Sequence, residues 1–180
     1  LNQKLLHEKI DVTLPVQLPL RGTHHLVTQT RQKIADYFKA HGFIAEEGPD
    51  IDIEAHNFNA LNIPDHHPAR QSHDTFYMKM EEKGWLLRTH TSTIQVRVMQ
   101  KKRPPLRILS AGRVYRADFD ATHLPMFHQM EGFVIEEGIH LGHLKGILND
   151  FVRHFFDDDR IETRFRPSFF LLRNPHLRWT

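Results

Sequence analysis

Cysteine is absent from this 180-residue chain. Without it, neither a disulfide framework nor a cysteine-based zinc site can form. No run of roughly 18 apolar residues exists, so nothing reads as a membrane-spanning helix. The first residues, LNQKLLHEKIDV, lack the apolar core of a signal peptide. Internal repeats and low-complexity tracts are missing as well, which sets aside solenoids and disordered linkers. An excess of one charge is missing too: 24 basic against 22 acidic residues leave +2 with histidine neutral. That balance is compatible with a nucleic-acid partner but does not argue for one.

What is present suits a globular domain, with 39% apolar and 26% charged residues. A chain of this length forms one domain, or part of one, and buries about two-thirds of its unfolded surface. Fifteen histidines are many. The pairs His24-His25, His66-His67 and His140-x-x-His143 invite a metal reading, but no third ligand stands at a convincing spacing. No residue is therefore assigned to a metal, and a histidine-based hydrolase lacks its ligand triad. Nothing suggests a serine nucleophile.

Residues 1–22 read as an extended lead-in, because Pro15 and Pro19 forbid a long helix. A helix follows from about His24 to His41, with Leu26, Thr30, Ile34, Tyr37/Phe38 and His41 at three-to-four spacing and Gly42 as a stop. Phe43–Ala45 reads as a short strand, and Gly48-Pro49 as a turn. Phe58 to Ser72 is loop-like. Trp85–Arg88 reads as a strand, and Thr89–Ser92 as a turn able to cap a helix from Thr93 to Lys102. A last helix spans about His140 to Phe156, with Leu141, Leu144, Ile147/Leu148, Phe151 and Phe155 as its apolar stripe. Ile161 to Arg166 reads as a strand. Hairpins interrupted by helices imply an α+β fold on an antiparallel sheet.

The densest chemistry lies between Gly112 and Gly132, GRVYRADFDATHLPMFHQMEG. Ile108–Arg116 and Gly132–Ile135 read as strands, and Asp118 to Pro125 as the loop between them. Alternation along the first strand puts Val114 and Arg116 on one face and Tyr115 on the other. An arginine fixed in this way offers a planar donor fork suited to a phosphate. Gln129 and Glu131 are two apart, so one strand face can present both. His90 and Ser92 read from their position as helix-capping groups or as ligands.

These segments resemble the class II aminoacyl-tRNA synthetases, and within them the alpha subunits of bacterial phenylalanyl-tRNA synthetases. GRVYR and DATHLPMFHQMEG are similar to motif 2. LLRTHTSTIQVRVM (Leu86–Met99), FNALNIPDHHPAR (Phe58–Arg70), DTFY (Asp74–Tyr77) and RFRPSFF (Arg164–Phe170) match in the same order and spacing. The likeness covers about Asp11 to Phe170. It implies a class II catalytic core over residues 23–170, with an antiparallel sheet flanked by helices and incomplete at its C-terminus. The helix–strand unit after residue 23 corresponds to motif 1, which builds the subunit interface in class II enzymes. An amphipathic helix on the domain's own core fits that pattern equally.

The reaction so implied is activation of phenylalanine by ATP to the adenylate, then transfer to tRNA(Phe). Arg116 takes the place of the motif 2 arginine on the α-phosphate, bridging it to the amino-acid carboxylate. His123 on the loop lies toward the pyrophosphate end, and Asp118 stands where a carboxylate contacts the adenine amino group. Gln129 and Glu131 face the substrate ammonium with His90 and Ser92, and Gln95 belongs to the same shell. His73 occupies a position where relatives carry a larger aromatic. The implied companions are magnesium, a beta subunit in an α2β2 assembly, and a cytoplasmic location. The alternative is a non-catalytic module that retains part of the site to bind ATP, amino acid or tRNA.

After Phe170 the family continues with a segment resembling PFTEPSxEVDV, whereas this chain reads LLRNPHLRWT. Back-translating PFTEPSLEVD with freely chosen codons and deleting its first base yields all ten residues of that tail. Residues 171–180 are therefore expected to be a frameshift product. The segment they replace is expected to hold the magnesium-binding carboxylate, an aromatic wall of the amino-acid pocket and a second ATP arginine. The chain alone is then expected to lack useful aminoacylation activity and to be marginally stable.

Overall fold

The computed structural model describes residue 13, residues 22–79, 84–118 and 121–167, and the backbone of 177–179. Helix α1 (Leu26–Ala40) starts where the His25 ring accepts from the Val27 N–H. It stops before Gly42, whose φ of +81° suits a residue without a side chain. Strand β1 (Ile44–Glu46) follows at once. Strand β2 (Ile51–Ile53) pairs antiparallel with β3 (Trp85–Leu87). Between them lie the one-turn helix α2 (Glu54–Asn57) and two 3-10 turns, Asn59–Leu61 and Pro68–Arg70. Helix α3 (Thr93–Lys101) leads through a cis Pro104–Pro105 bond into β4 (Leu106–Tyr115). Strand β5 (Met126–Ile135) completes a long hairpin with β4, and helix α4 (Leu141–Phe156) follows. The short strands β6 (Phe165–Pro167) and β7 (Leu177–Trp179) pair antiparallel.

The fold is α+β, and its main sheet is mixed where an antiparallel one is expected. Its strand order is β1-β4-β5, with β4 and β5 antiparallel but β1 parallel to β4. Parallel neighbours need a long connection. Here the β2–β3 unit and α3 supply it, so the fold gains a parallel edge that local alternation in the sequence does not reveal.

Register divides the hairpin into two faces. Leu106, Ile108, Ser110, Gly112 and Val114 share one with their β5 partners Phe133, Glu131, Gln129 and Phe127. At its start this face is apolar: Leu106 and Ile108 pack with Ile94 and Val98 of α3, and Phe133 joins them. Further along it turns polar at Ser110, Gly112, Gln129 and Glu131, beside the N-terminal end of α3. On the opposite face Phe43 lies over Gly132. A smaller core of Phe58, Ile63 and Leu86, with Tyr77 against it, fixes the loop after α2.

Several boundaries differ from the sequence reading. Strand β5 begins at Met126 rather than Gly132, because register with β4 carries the ladder out to Tyr115. The apolar stripe of α4 is covered only toward its C-terminal end. There Phe151 stacks against Tyr37 and Phe38 at 5.3 and 5.1 Å, while Leu141 and Leu144 stay exposed. Leu26 of α1 is likewise exposed, at 74%. The two helices meet through their aromatic ends and leave their first turns uncovered. The strand expected over 161–166 is confined to Phe165–Pro167. The lead-in and most of residues 171–180 fall outside the described residues. No helix among the described residues is long and apolar enough to cross a membrane.

Candidate functional site

The polar end of the hairpin face meets the turn between β3 and α3. Glu131 is the centre of that meeting. Ser92 Oγ donates to its two carboxylate oxygens at 2.8 and 2.7 Å, Gln129 Nε2 donates at 3.3 Å and Gln95 Nε2 at 3.4 Å. The Gln129 side-chain oxygen in turn accepts from the Thr91 N–H at 3.3 Å. Glu131 is half-buried, and its hydrogen-bond donors among the described residues are all neutral. The N-terminal end of α3 adds a favourable dipole. A carboxylate held this way keeps a directed negative charge that no cation of the described chain neutralises by direct contact.

The turn is itself a buried polar structure. Thr89, His90, Thr91, Ser92 and Thr93 are consecutive, and all are buried. Three of their polar atoms, His90 Nδ1 and the Thr91 and Thr93 hydroxyls, have no partner among the described residues. Groups buried without partners are costly, so something must hold the turn in place. Asn57 does part of this. Its side-chain oxygen accepts from the Thr89 N–H at 3.2 Å, and its Nδ2 donates to the Thr89 hydroxyl at 3.0 Å. Its backbone carbonyl accepts from His90 Nε2 at 3.0 Å.

Arg88 does the rest. It is 2% exposed, and its guanidinium donates to the carbonyls of Arg113 (2.8 Å) and Gly48 (3.1 Å) and pairs with Asp50 at 3.2 Å. Its backbone joins Asp50 to Tyr115. The guanidinium fills the space over Gly112, where an added Cβ would lie 1.9 Å from its terminal nitrogen. Glycine at 112 is thus the condition for a buried cation beside the turn. On the other flank Asp52, fully buried, takes two hydrogen bonds from Arg97 at 2.7 and 3.0 Å and one from His56 at 2.8 Å. Burial pushes this carboxyl up, but those donors and the Ile53 N–H outweigh it and hold it below the usual value.

Burial is also the first influence on His90 and lowers its pKa. The Glu131 charge and the Asn57 carbonyl oppose that shift, the charges of Arg116 and Arg88 reinforce it, and the net direction is down. The ring is therefore neutral near pH 7.

Of the residues singled out in the sequence, His90, Ser92, Gln95, Gln129 and Glu131 converge. Arg116 stands one alternation beyond Val114 on the same face. It is exposed, its guanidinium lies 5.1 Å from the Phe127 ring centroid, and its Nε approaches the Thr89 carbonyl at a long 3.4 Å. Asp118 is half-buried two residues later, and His123 is exposed on the loop. No hydrogen bond between described residues ties either to Glu131. His73 is exposed and lies 3.6 Å from Asp74.

The capping reading fails for Ser92 and His90. Ser92 is already helical at φ −64°, ψ −15°, and its side chain caps nothing, because the hydroxyl is turned to the carboxylate of Glu131. An ionised acceptor makes the stronger hydrogen bond. Sequence reasoning misses Arg88, Asn57, Asp50 and Asp52. Only Arg88 gives a signal, as a charge closing an apolar strand.

Residues 9–179 match the family described as tRNA synthetases class II core domain (F). The phenylalanine–tRNA ligase alpha subunit of Rickettsia bellii is 51% identical over 177 residues, covering 97% of this chain and 51% of that protein. The corresponding subunit of Rickettsia felis is 50% identical over the same coverage. The chain thus spans about half the length of the curated relatives it matches. Among solved structures, Desulfitobacterium hafniense PylSc, a pyrrolysyl tRNA synthetase, superposes with a TM-score of 0.58 at 19% identity, over 80% of this chain and 50% of that one. That likeness concerns the fold alone.

Proposed function

This chain belongs to the class II aminoacyl-tRNA synthetase family, and on that premise we propose that it forms the amino-acid-facing part of a phenylalanine–tRNA ligase alpha subunit. The observation that carries the proposal is Glu131, a half-buried carboxylate ringed by neutral donors. The substrate ammonium supplies the missing positive charge, and Ser92 and Gln129 fix the carboxylate that receives it. Arg116, on the same face and exposed, takes the α-phosphate and the amino-acid carboxylate with its planar fork. Activation is attack of that carboxylate oxygen on the α-phosphorus, with the bond to pyrophosphate breaking. The side chains here contribute by positioning two anions and offsetting the charge between them. His123 serves the pyrophosphate end and Asp118 the adenine amino group.

ATP fits the exposed Arg116. Magnesium is different: among the described residues no three His, Asp or Glu side chains gather as a ligand set. Transfer to tRNA(Phe), assembly with a beta subunit and a cytoplasmic location belong to the same proposal. They rest on the relatives' identity as alpha subunits. The shifted-frame origin of residues 171–180 is decided by the nucleotide sequence beyond codon 165.

The test is calorimetric titration with L-phenylalanine and with 3-phenylpropionate, which lacks the ammonium. Phenylalanine should bind at least about tenfold more tightly, one charge-assisted contact being worth that much. Glu131→Gln should abolish the difference. Equal binding of both ligands to the unaltered chain refutes the ammonium reading.

A further inference from the structure

We propose that Asn57 is the positioning residue of the amino-acid subsite, gripping Thr89 and holding the His90 ring as the tautomer protonated at Nε2 alone. A backbone carbonyl can only accept, so the 3.0 Å contact between the Asn57 oxygen and His90 Nε2 requires the proton on Nε2. A backbone N–H can only donate, so the Asn57 side-chain oxygen must face Thr89 N, and its Nδ2 then faces the Thr89 hydroxyl. One fully buried residue therefore makes three contacts to two successive residues of the turn.

Nδ1 of His90 is buried without a partner among the described residues. As an N–H it would be an orphaned donor, and as part of an imidazolium it would add an uncompensated charge to the interior. As a bare acceptor it leaves the smaller deficit. The direction of the His90 shift, downward through burial, agrees.

What Asn57 holds is also what the site uses. Thr89 presents its carbonyl to Arg116, and Thr91 presents its N–H to Gln129. On the synthetase reading above, on which this inference rests, Asn57 joins the two ends of the substrate through a turn that cannot satisfy itself. Segment 52–57 is fixed from behind by Asp52 on Arg97, so the grip has a firm base.

The experiment is long-range proton–nitrogen NMR on the histidine-labelled chain at pH 7.5, with His90→Asn to assign the signal. It is paired with Thr89 amide exchange and phenylalanine titrations of the chain and of Asn57→Ala. The expected result is a His90 ring protonated at Nε2 only. In Asn57→Ala the backbone carbonyl and the Nε2 tautomer remain, the Thr89 amide proton exchanges faster for want of its acceptor, and phenylalanine affinity falls about tenfold. A His90 in the unaltered chain that carries its proton on Nδ1, or on both nitrogens, overturns the proposal whether or not the variant folds. So does a folded Asn57→Ala in which Thr89 amide exchange and phenylalanine affinity are both unchanged. If His90 carries the Nε2 tautomer and Thr89 exchange depends on Asn57 as stated, but phenylalanine does not bind the unaltered chain, the positioning inference stands and the synthetase reading of the site is what fails.

Discussion

Between Thr89 and Thr93 five successive polar side chains are buried, and they are held by Asn57, Glu131 and the neighbouring Arg88. The contact between α1 and α4 is built otherwise: Tyr37, Phe38, Phe151 and His154 meet ring to ring at 5.0–5.3 Å, and Leu26, Leu141, Leu144 and Phe156 remain exposed. In the turn, position is fixed by direction, since each hydrogen bond admits one partner at one angle. Between the helices, position is fixed by area, which many arrangements satisfy. A lattice of directional bonds suits side chains that must face a ligand. A stack of rings suits elements that need only stay together.

The sharpest way to break the contrast is Gly112→Ala. One methyl group displaces the Arg88 guanidinium from its acceptors and leaves a buried cation unpaired, so folding should weaken by about 3–5 kcal/mol. Urea denaturation checks this, and a loss under about 1 kcal/mol would mean that Arg88 has room to move. The matching change on the other side is Phe151→Ala. The ring is half-buried, so the cost should be about 2 kcal/mol, with the amino-acid site undisturbed. An equal fall in phenylalanine binding would show the two regions to be coupled.

The smallest effect is titration. A histidine whose folded pKa is depressed binds fewer protons folded than unfolded near pH 6. The contribution of His90 is thus complete above the ordinary histidine value of about 6.5 and is lost as pH falls below it. Asp52, held below the usual carboxylate value, keeps its contribution until the pH approaches about 4. The urea midpoint should drop between pH 7.5 and 5.5, and His90→Asn should drop less over the same interval. An equal drop in both proteins assigns the effect to other histidines.

Much of this arrangement is legible in the sequence, and the boundary has a physical basis. Periodicity places α1 and α4, whose apolar stripes recur at helical spacing, alternation places the first strand of the hairpin, and α3 is placed by the turn before it. The convergence of Ser92, Gln129 and Glu131 is legible only through family resemblance. Composition cannot say that a turn 39 residues from Glu131 will meet it. The parallel pairing of β1 is hidden for the same reason, being set by packing between distant segments. Asn57 is hidden more deeply. A lone asparagine before a phenylalanine looks like any turn residue, and its role exists only in three contacts made across the fold.

The mixed sheet also bears on how the chain assembles in time. Residues Met126–Ile135 find Leu106–Tyr115 across one short loop, so the β4–β5 hairpin closes at little entropic cost. Ile44 must instead find Ile108, with the whole β2–β3 unit and α3 between them. Contacts so remote in sequence form slowly. Helix α1 and β1 should therefore dock last, onto a hairpin and turn already in place. On a ribosome the site-bearing elements would wait, exposed and unpaired at the β4 edge, until the earliest-made segment of the fold comes back to cover them.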